Sequence, residues 1–133
     1  MQSLRDTTAC MDQSLLPGDP SLILSTNISL GDAKLGIMKA ISAAISEHLG
    51  KPEQYVAVQI NDSQSMIFGG SDDPTALGCL YSLGAIGKEP NGKITKAVND
   101  LLEPFGVKDD RMYINFFDVP RENCGWKGKT FAG

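Results

Sequence analysis

Apolar side chains recur along this chain in two rhythms, and the rhythms mark out a repeated pattern of strands and helices. The stretch PSLILSTNI, residues 20–28, is strand-like from Ser21 to Ile28, and a proline at a strand's first position removes a donor only where the ladder has not begun. Leu35, Met38, Ile41, Ile45 and Leu49 then fall on one helical face, with Asp32 or Ser29 as candidate caps, Gly50 at the stop and Pro52 just beyond. This predicts a first helix over roughly 32–49. QYVAVQI, residues 54–60, alternates Val56, Val58 and Ile60 against Tyr55, Ala57 and Gln59, as a half-buried strand does. A short strand is expected over 65–68, then a tight connection in Phe68-Gly69-Gly70-Ser71-Asp72-Asp73-Pro74, then a strand over 76–83. Asn91 is the expected cap of a second helix burying Ile94, Ala97, Val98, Leu101 and Leu102 and closed by Pro104 and Gly106. RMYINFFD, residues 111–118, reads as the last long strand.

The elements repeat at an interval of 56 positions, which relates Gly50 to Gly106 and Val56, Val58 and Ile60 to Met112, Ile114 and Phe116. Two strand-helix-strand units with right-handed crossovers predict a four-stranded mixed sheet with both helices on one face. The other face would then show Ala57, Tyr113, Asn115 and Phe117, partly apolar and with no third helix to cover it. Such a patch marks an interface, so an oligomer is expected.

Composition narrows the classes. With 133 residues the chain is of single-domain length, and 41% apolar and 21% charged residues are ordinary globular usage. A net charge of -4 without a Lys/Arg cluster argues against a nucleic-acid partner, and no apolar run is long enough to span a membrane. Cys10, Cys79 and Cys124 are widely spaced and odd in number, which fits reduced thiols, and a single histidine, His48, leaves no zinc-site pattern. Residues 1–19 are polar and non-periodic, end in Leu16-Pro17-Gly18-Asp19, and read as a flexible extension; Leu15 and Leu16 alone do not make a signal-peptide core. These features lead to an expectation of a cytoplasmic protein of one domain, residues 20–133.

PSLILSTNI, GKPEQYVAV, MIFGGSDDP, RMYINFFD and GWKGKTFA resemble, in that order and with few gaps from Pro20 to Ala132, the signature stretches of the macrophage migration inhibitory factor family in the tautomerase superfamily. The GW near the C-terminus is a feature that the D-dopachrome tautomerase branch lacks. The resemblance implies a homotrimer that interconverts keto and enol forms of phenylpyruvate- and dopachrome-type acids with no cofactor and no metal, using an N-terminal proline as general base. It also implies export without a signal peptide in some members. By the same resemblance Pro20 falls at the catalytic position, Lys51 at the lysine that holds the substrate carboxylate, and Leu83 and Cys124 at pocket-lining positions. Tyr113 and Asn115 fall on residues given to the pocket by a neighbouring subunit. Thr75 and Gly78 stand at the two cysteine positions of a thiol-oxidoreductase motif, so no such activity is expected.

Without the resemblance the residues have plainer readings: Pro20 as a strand-edge device, Lys51 as a solvated charge at a helix C-terminus, Tyr113 as an interface aromatic, His48 as helix-end electrostatics. One chemical fact divides the functional readings. A proline inside a chain is a tertiary amide with neither N–H nor basic lone pair, and Asp19 precedes Pro20. With the bond between them broken, the expected protein is a tautomerase. With the bond intact, it is a non-catalytic interaction protein, cytokine-like with a cell-surface receptor, or intracellular.

Overall fold

Residues 19–133 are described by the computed structural model; the expected extension falls outside them except for Asp19. In chain order the main elements are β1 (Pro20–Thr26), α1 (Lys34–Leu49), β2 (Ala57–Asn61), β3 (Ala76–Ser82), α2 (Lys88–Leu102) and β4 (Met112–Asp118). A small hairpin of β5 (Gly125–Trp126) and β6 (Lys129–Thr130) follows. The sheet order is β2-β1-β3-β4, with β1 parallel to β2, antiparallel to β3, and β3 parallel to β4. This is the four-stranded mixed sheet with two helices that the repeat predicts, and the two halves meet along the antiparallel β1–β3 pair.

Alternation on the strands sends one row inward. Leu22 and Leu24 of β1, Leu80 of β3 and Met112 of β4 pack against Ile37, Ile41, Ile45 and Leu49 of α1 and Ile94, Val98 and Leu102 of α2. Burying each such side chain contributes roughly 1.5–3 kcal/mol, so this row is the main source of stability. On the opposite face Ile23, Leu77, Tyr113 and Phe117 remain exposed, with the rings of Tyr81 and Phe117 stacked at 5.0 Å.

Four local expectations need correction. Leu35 does not face the core: it is exposed, and Ile37 takes its place, because Ile37, Ile41, Ile45 and Leu49 form the inward stripe and Leu35 lies about 200° round the helix from Ile37. Neither Ser29 nor Asp32 caps α1. Asp62, in the loop after β2, accepts from the Leu30 N–H at 3.0 Å and from Lys34 Nζ at 2.9 Å instead, holding the helix entry from across the sheet edge. α2 starts at Lys88 rather than at Asn91, whose Oδ1 reaches back to accept from the Gly87 N–H at 3.2 Å; Pro90 sits in the first turn, where its missing donor costs nothing.

The strand expected over 65–68 is replaced by a lone bridge between Phe68 and Ser71. Arg111 holds this loop, donating to the carbonyls of Phe68, Ser71, Asp73 and Pro74 at 3.0–3.1 Å. A guanidinium offers five donors in one plane, so a single side chain does the work of a strand ladder.

Candidate active site

The helix stop after α1 builds one wall of the site. Gly50 takes the left-handed conformation at φ 66°, which ends the helix and turns the chain inward. Lys51 follows, its N–H donating to Ser46 O at 3.1 Å and its carbonyl accepting from the Ser46 hydroxyl at 2.6 Å. Fixed at both backbone groups, Lys51 sends its side chain under the sheet, where the residue is 2% exposed and Nζ donates to the Leu83 carbonyl at 2.6 Å. Leu83, itself fully buried, donates its own N–H to the Asp19 carbonyl at 3.2 Å. One residue, through its N–H and its carbonyl, thus ties Lys51 to the residue that precedes Pro20.

Pro20 is buried as the first residue of β1, opposite Ser82 of β3. Ser82 is fully buried, and its hydroxyl has no hydrogen-bond partner among the described residues. In front of Pro20 opens a cleft of about 540 Å³, lined by Asp19, Tyr55, Cys124, Trp126, Lys127 and Phe131 among others. Its walls are aromatic: Trp126 stacks on Phe131 at 5.4 Å, Tyr55 meets Trp126 edge-on at 5.7 Å, and Lys127 Nζ lies 4.5 Å from the Trp126 ring centre. Burial raises the Asp19 carboxyl pKa above its ordinary value, more than a hydrogen bond with Ser21 and the charge of Lys51 lower it. Burial also raises the pKa of the Cys124 thiol, and the Asp19 charge adds to this, which favours the neutral thiol.

Of the residues singled out in the sequence, Cys124 lines this cleft, while Pro20, Leu83 and Lys51 are tied to it through Asp19. Tyr113 and Asn115 lie apart from it. They line a separate shallow cleft of about 370 Å³ on the open face of the sheet, with Ile23, Leu77 and Tyr81. Strand register shows how far apart they lie: Tyr113 pairs with Leu77 of β3 whereas Pro20 pairs with Ser82, five residues further along. That offset is roughly 17 Å along the sheet, beyond the reach of one side chain within one chain.

Tyr55, Trp126, Lys127 and Phe131 are site residues that sequence reasoning missed. The signal was present in GWKGKTFA, where a Lys127-Gly128 turn with both residues at positive φ folds Trp126 back on Phe131. Tyr55 sits in a short 3-10 turn ahead of β2 rather than inside a strand, which frees its ring for the cleft.

Neither candidate cysteine position carries a thiol. Gly78 lies against the core, and a Cβ there would stand 3.0 Å from Leu24 Cδ1, while the Thr75 hydroxyl is occupied by the Arg111 carbonyl at 2.7 Å.

A duplicated strand-helix-strand unit, one face covered by helices and an aromatic cleft at the start of the central strand, defines the class as a tautomerase-like α/β domain. The family model for macrophage migration inhibitory factor matches residues 19–132. The chain is 41% identical over 113 residues to the macrophage migration inhibitory factor homolog of Trichuris trichiura, covering 84% of this chain and 99% of that one. It is 38% identical over 114 residues to macrophage migration inhibitory factor of Meriones unguiculatus, covering 85% of this chain and 99% of that one. Among solved structures it is similar to the macrophage migration inhibitory factor of Trichinella spiralis, with a TM-score of 0.76 at 38% identity over 84% of this chain and 99% of that chain. The homologue from Prochlorococcus marinus gives 0.79 at 30% identity with the same coverage. The chain belongs to the macrophage migration inhibitory factor family.

Proposed function

We propose that the domain is a keto-enol tautomerase for small aromatic keto acids of the phenylpyruvate or dopachrome type, with Pro20 as the general base once its nitrogen is a free amine. The observation that carries the reading is the buried Lys51, brought beside the cleft at the start of β1. Lys51 Nζ donates to the Leu83 carbonyl and its charge acts on Asp19 at the cleft, so it sets a positive charge where a substrate carboxylate would meet it. Tyr55, Trp126 and Phe131 supply flat apolar walls for an aromatic ring, with Cys124 beside them.

The chemistry follows from the amine. An α-amino group titrates at roughly 7.7–8.0 in model peptides, and the apolar surroundings of Pro20 lower that value toward working pH. The neutral nitrogen takes a proton from the carbon next to the substrate carbonyl while Lys51 holds the carboxylate, and the same proton returns at the other end of the enol. Only a proton moves, so the step calls for no electron carrier. Tyr113 and Asn115 enter the site from a neighbouring copy in a homotrimer, which accounts for their distance from Pro20 in a single chain.

A chain that begins at Pro20 should tautomerise phenylpyruvate, and Pro20→Gly in that chain should lose most of the activity, about tenfold or more for removal of a positioned base. An inactive trimer beginning at Pro20 would overturn the reading. A second reading is favoured by the intact Asp19–Pro20 amide: with Asp19 in the cleft, the domain has no base and acts through its surface as a cytokine-like protein. Intact mass of the protein from its natural source separates the two.

A further inference from the structure

We propose that the Asp19–Pro20 peptide bond is cleaved by the chain itself: the Asp19 side-chain carboxyl attacks its own main-chain carbonyl and expels Pro20 as a free secondary amine. The inference deepens the tautomerase reading and rests on it for its purpose, since that reading needs this nitrogen free.

The residue pair is chemically suited to the reaction. An aspartyl carboxyl reaches its own carbonyl carbon through a five-membered ring. The nitrogen that must leave is a proline nitrogen, doubly alkylated, more basic than a secondary-amide nitrogen and therefore more readily protonated as it departs. In the step, a carboxyl oxygen forms a C–O bond to the Asp19 carbonyl carbon, the C–N bond to Pro20 breaks, and the carboxyl proton passes to nitrogen. The product upstream is a cyclic anhydride ending at Asp19, which one water opens to a free aspartate. The net reaction is hydrolysis of one peptide bond.

The fold adds positioning to this intrinsic tendency. The Leu83 N–H, 3.2 Å from the Asp19 carbonyl oxygen, withdraws electron density from the carbon under attack and stabilises the oxyanion that forms on it. Pro20 is buried and locked into register with Ser82, so the scissile peptide is held at the mouth of the cleft. The Ser82 hydroxyl, buried and unpartnered among the described residues, belongs to the residue paired with Pro20 across the strands. The Asp19 carboxyl interacts with Lys51 after α1, Ser21 on β1 and Cys124 before the hairpin, and shares its cleft with Tyr55 and Lys127. Burial outweighs these partners and raises its pKa, so the protonated carboxyl persists to higher pH than in an unfolded chain. The protonated carboxyl is the reactive form, so the rate rises as pH falls through that raised value and levels off below it.

Purified full-length chain should be incubated from about pH 4.5 to 7, where ordinary carboxyls ionise, and followed by intact mass and N-terminal sequencing, with circular dichroism to verify folding. The expected result is conversion to a chain beginning at Pro20 and a fragment ending at Asp19. The rate should be first-order, independent of protein concentration, and about tenfold or more above that of urea-unfolded chain at the same pH, a small part of what fixed orientation can supply. Asp19→Ala should abolish cleavage, and Asp19→Glu, which keeps the charge but needs a larger ring, should slow it by at least that factor. A folded chain that stays intact, cleaves no faster than the unfolded one, or cleaves equally well as Asp19→Ala would overturn the proposal. A chain made to start at Pro20 by other means keeps the two readings apart: its activity beside an uncleaved full-length chain sinks self-cleavage alone, and its inactivity beside a cleaving chain sinks the tautomerase alone.

Discussion

Among the described residues Lys51 is the one charged side chain that the fold buries. Its role can be separated from its packing with Lys51→Met, which keeps the aliphatic stem and removes the charge. In a chain beginning at Pro20, this change should raise KM for phenylpyruvate roughly 10- to 100-fold, the scale of a charge-assisted hydrogen bond, and should lower the melting temperature because the buried Leu83 carbonyl loses its donor. Asp62 shows how a single carboxyl links pH to stability. Its bonds to the Leu30 N–H and to Lys34 lower its pKa in the folded chain, so its contribution is present above the ordinary carboxylate range and lost as pH falls through the folded value. Thermal melts should show Asp62→Asn less stable than the parent near neutrality, with the gap closing in acid. Asp19 has the opposite sign. Its raised pKa means that ionisation works against the fold and protonation relieves the penalty, so Asp19→Asn should stabilise the chain near neutral pH and lose that advantage as pH falls.

At the scale of elements, both helical segments close on a glycine, α1 directly and α2 after a 3-10 turn over Glu103–Phe105. Gly50 and Gly106 both take left-handed φ, 66° and 97°, and each releases the chain toward the strand that follows. A side chain in that conformation costs roughly 1–2 kcal/mol, so Gly50→Ala should lower stability by about that much and also misplace Lys51, visible as a raised KM in the processed chain. The inward stripe of α1 is the larger determinant: Ile45→Ala, at a position with no exposure, should cost about 2–5 kcal/mol in denaturant unfolding. Leu35→Ala on the same helix should cost well under 1 kcal/mol, because Leu35 is exposed.

At the scale of the whole molecule, the helix-free face of the sheet is the feature that a single chain leaves unresolved. Ile23, Leu77 and Phe117 are each 44% exposed and Tyr113 is 63% exposed, a contiguous apolar surface on a domain whose other face is fully packed. Assembly as a homotrimer is expected to give a light-scattering mass about three times the 14.2 kDa of one chain, and Leu77→Lys should shift it toward the monomer and lower tautomerase activity with it. The paired loss would follow because Tyr113 and Asn115 lie on the same surface.

The repeat, the sheet and the core were legible in the chain itself, because alternation on strands and helical spacing are local rules: Val58, Ile60, Ile114 and Phe116 had to face inward once their neighbours were known. The positions of Pro20 at a strand start and of Lys51 after a helix stop were legible too, written in short stretches around proline and glycine, but the burial of Lys51 was not: by the same local rule it reads as a solvated charge. What the sequence could not express were contacts between distant segments. Arg111 reaches a loop some 40 residues earlier, Asp62 caps a helix across the sheet edge, and Leu83 offers its N–H to Asp19 from the neighbouring strand. Each is a side chain or peptide satisfied by a carbonyl or carboxylate brought near only by folding, and no periodicity announces such a partner. Pattern alone therefore determined which face of each element is buried. Tertiary structure decided which groups surround the Asp19–Pro20 bond, because their hydrogen bonds and charges act through space rather than along the chain.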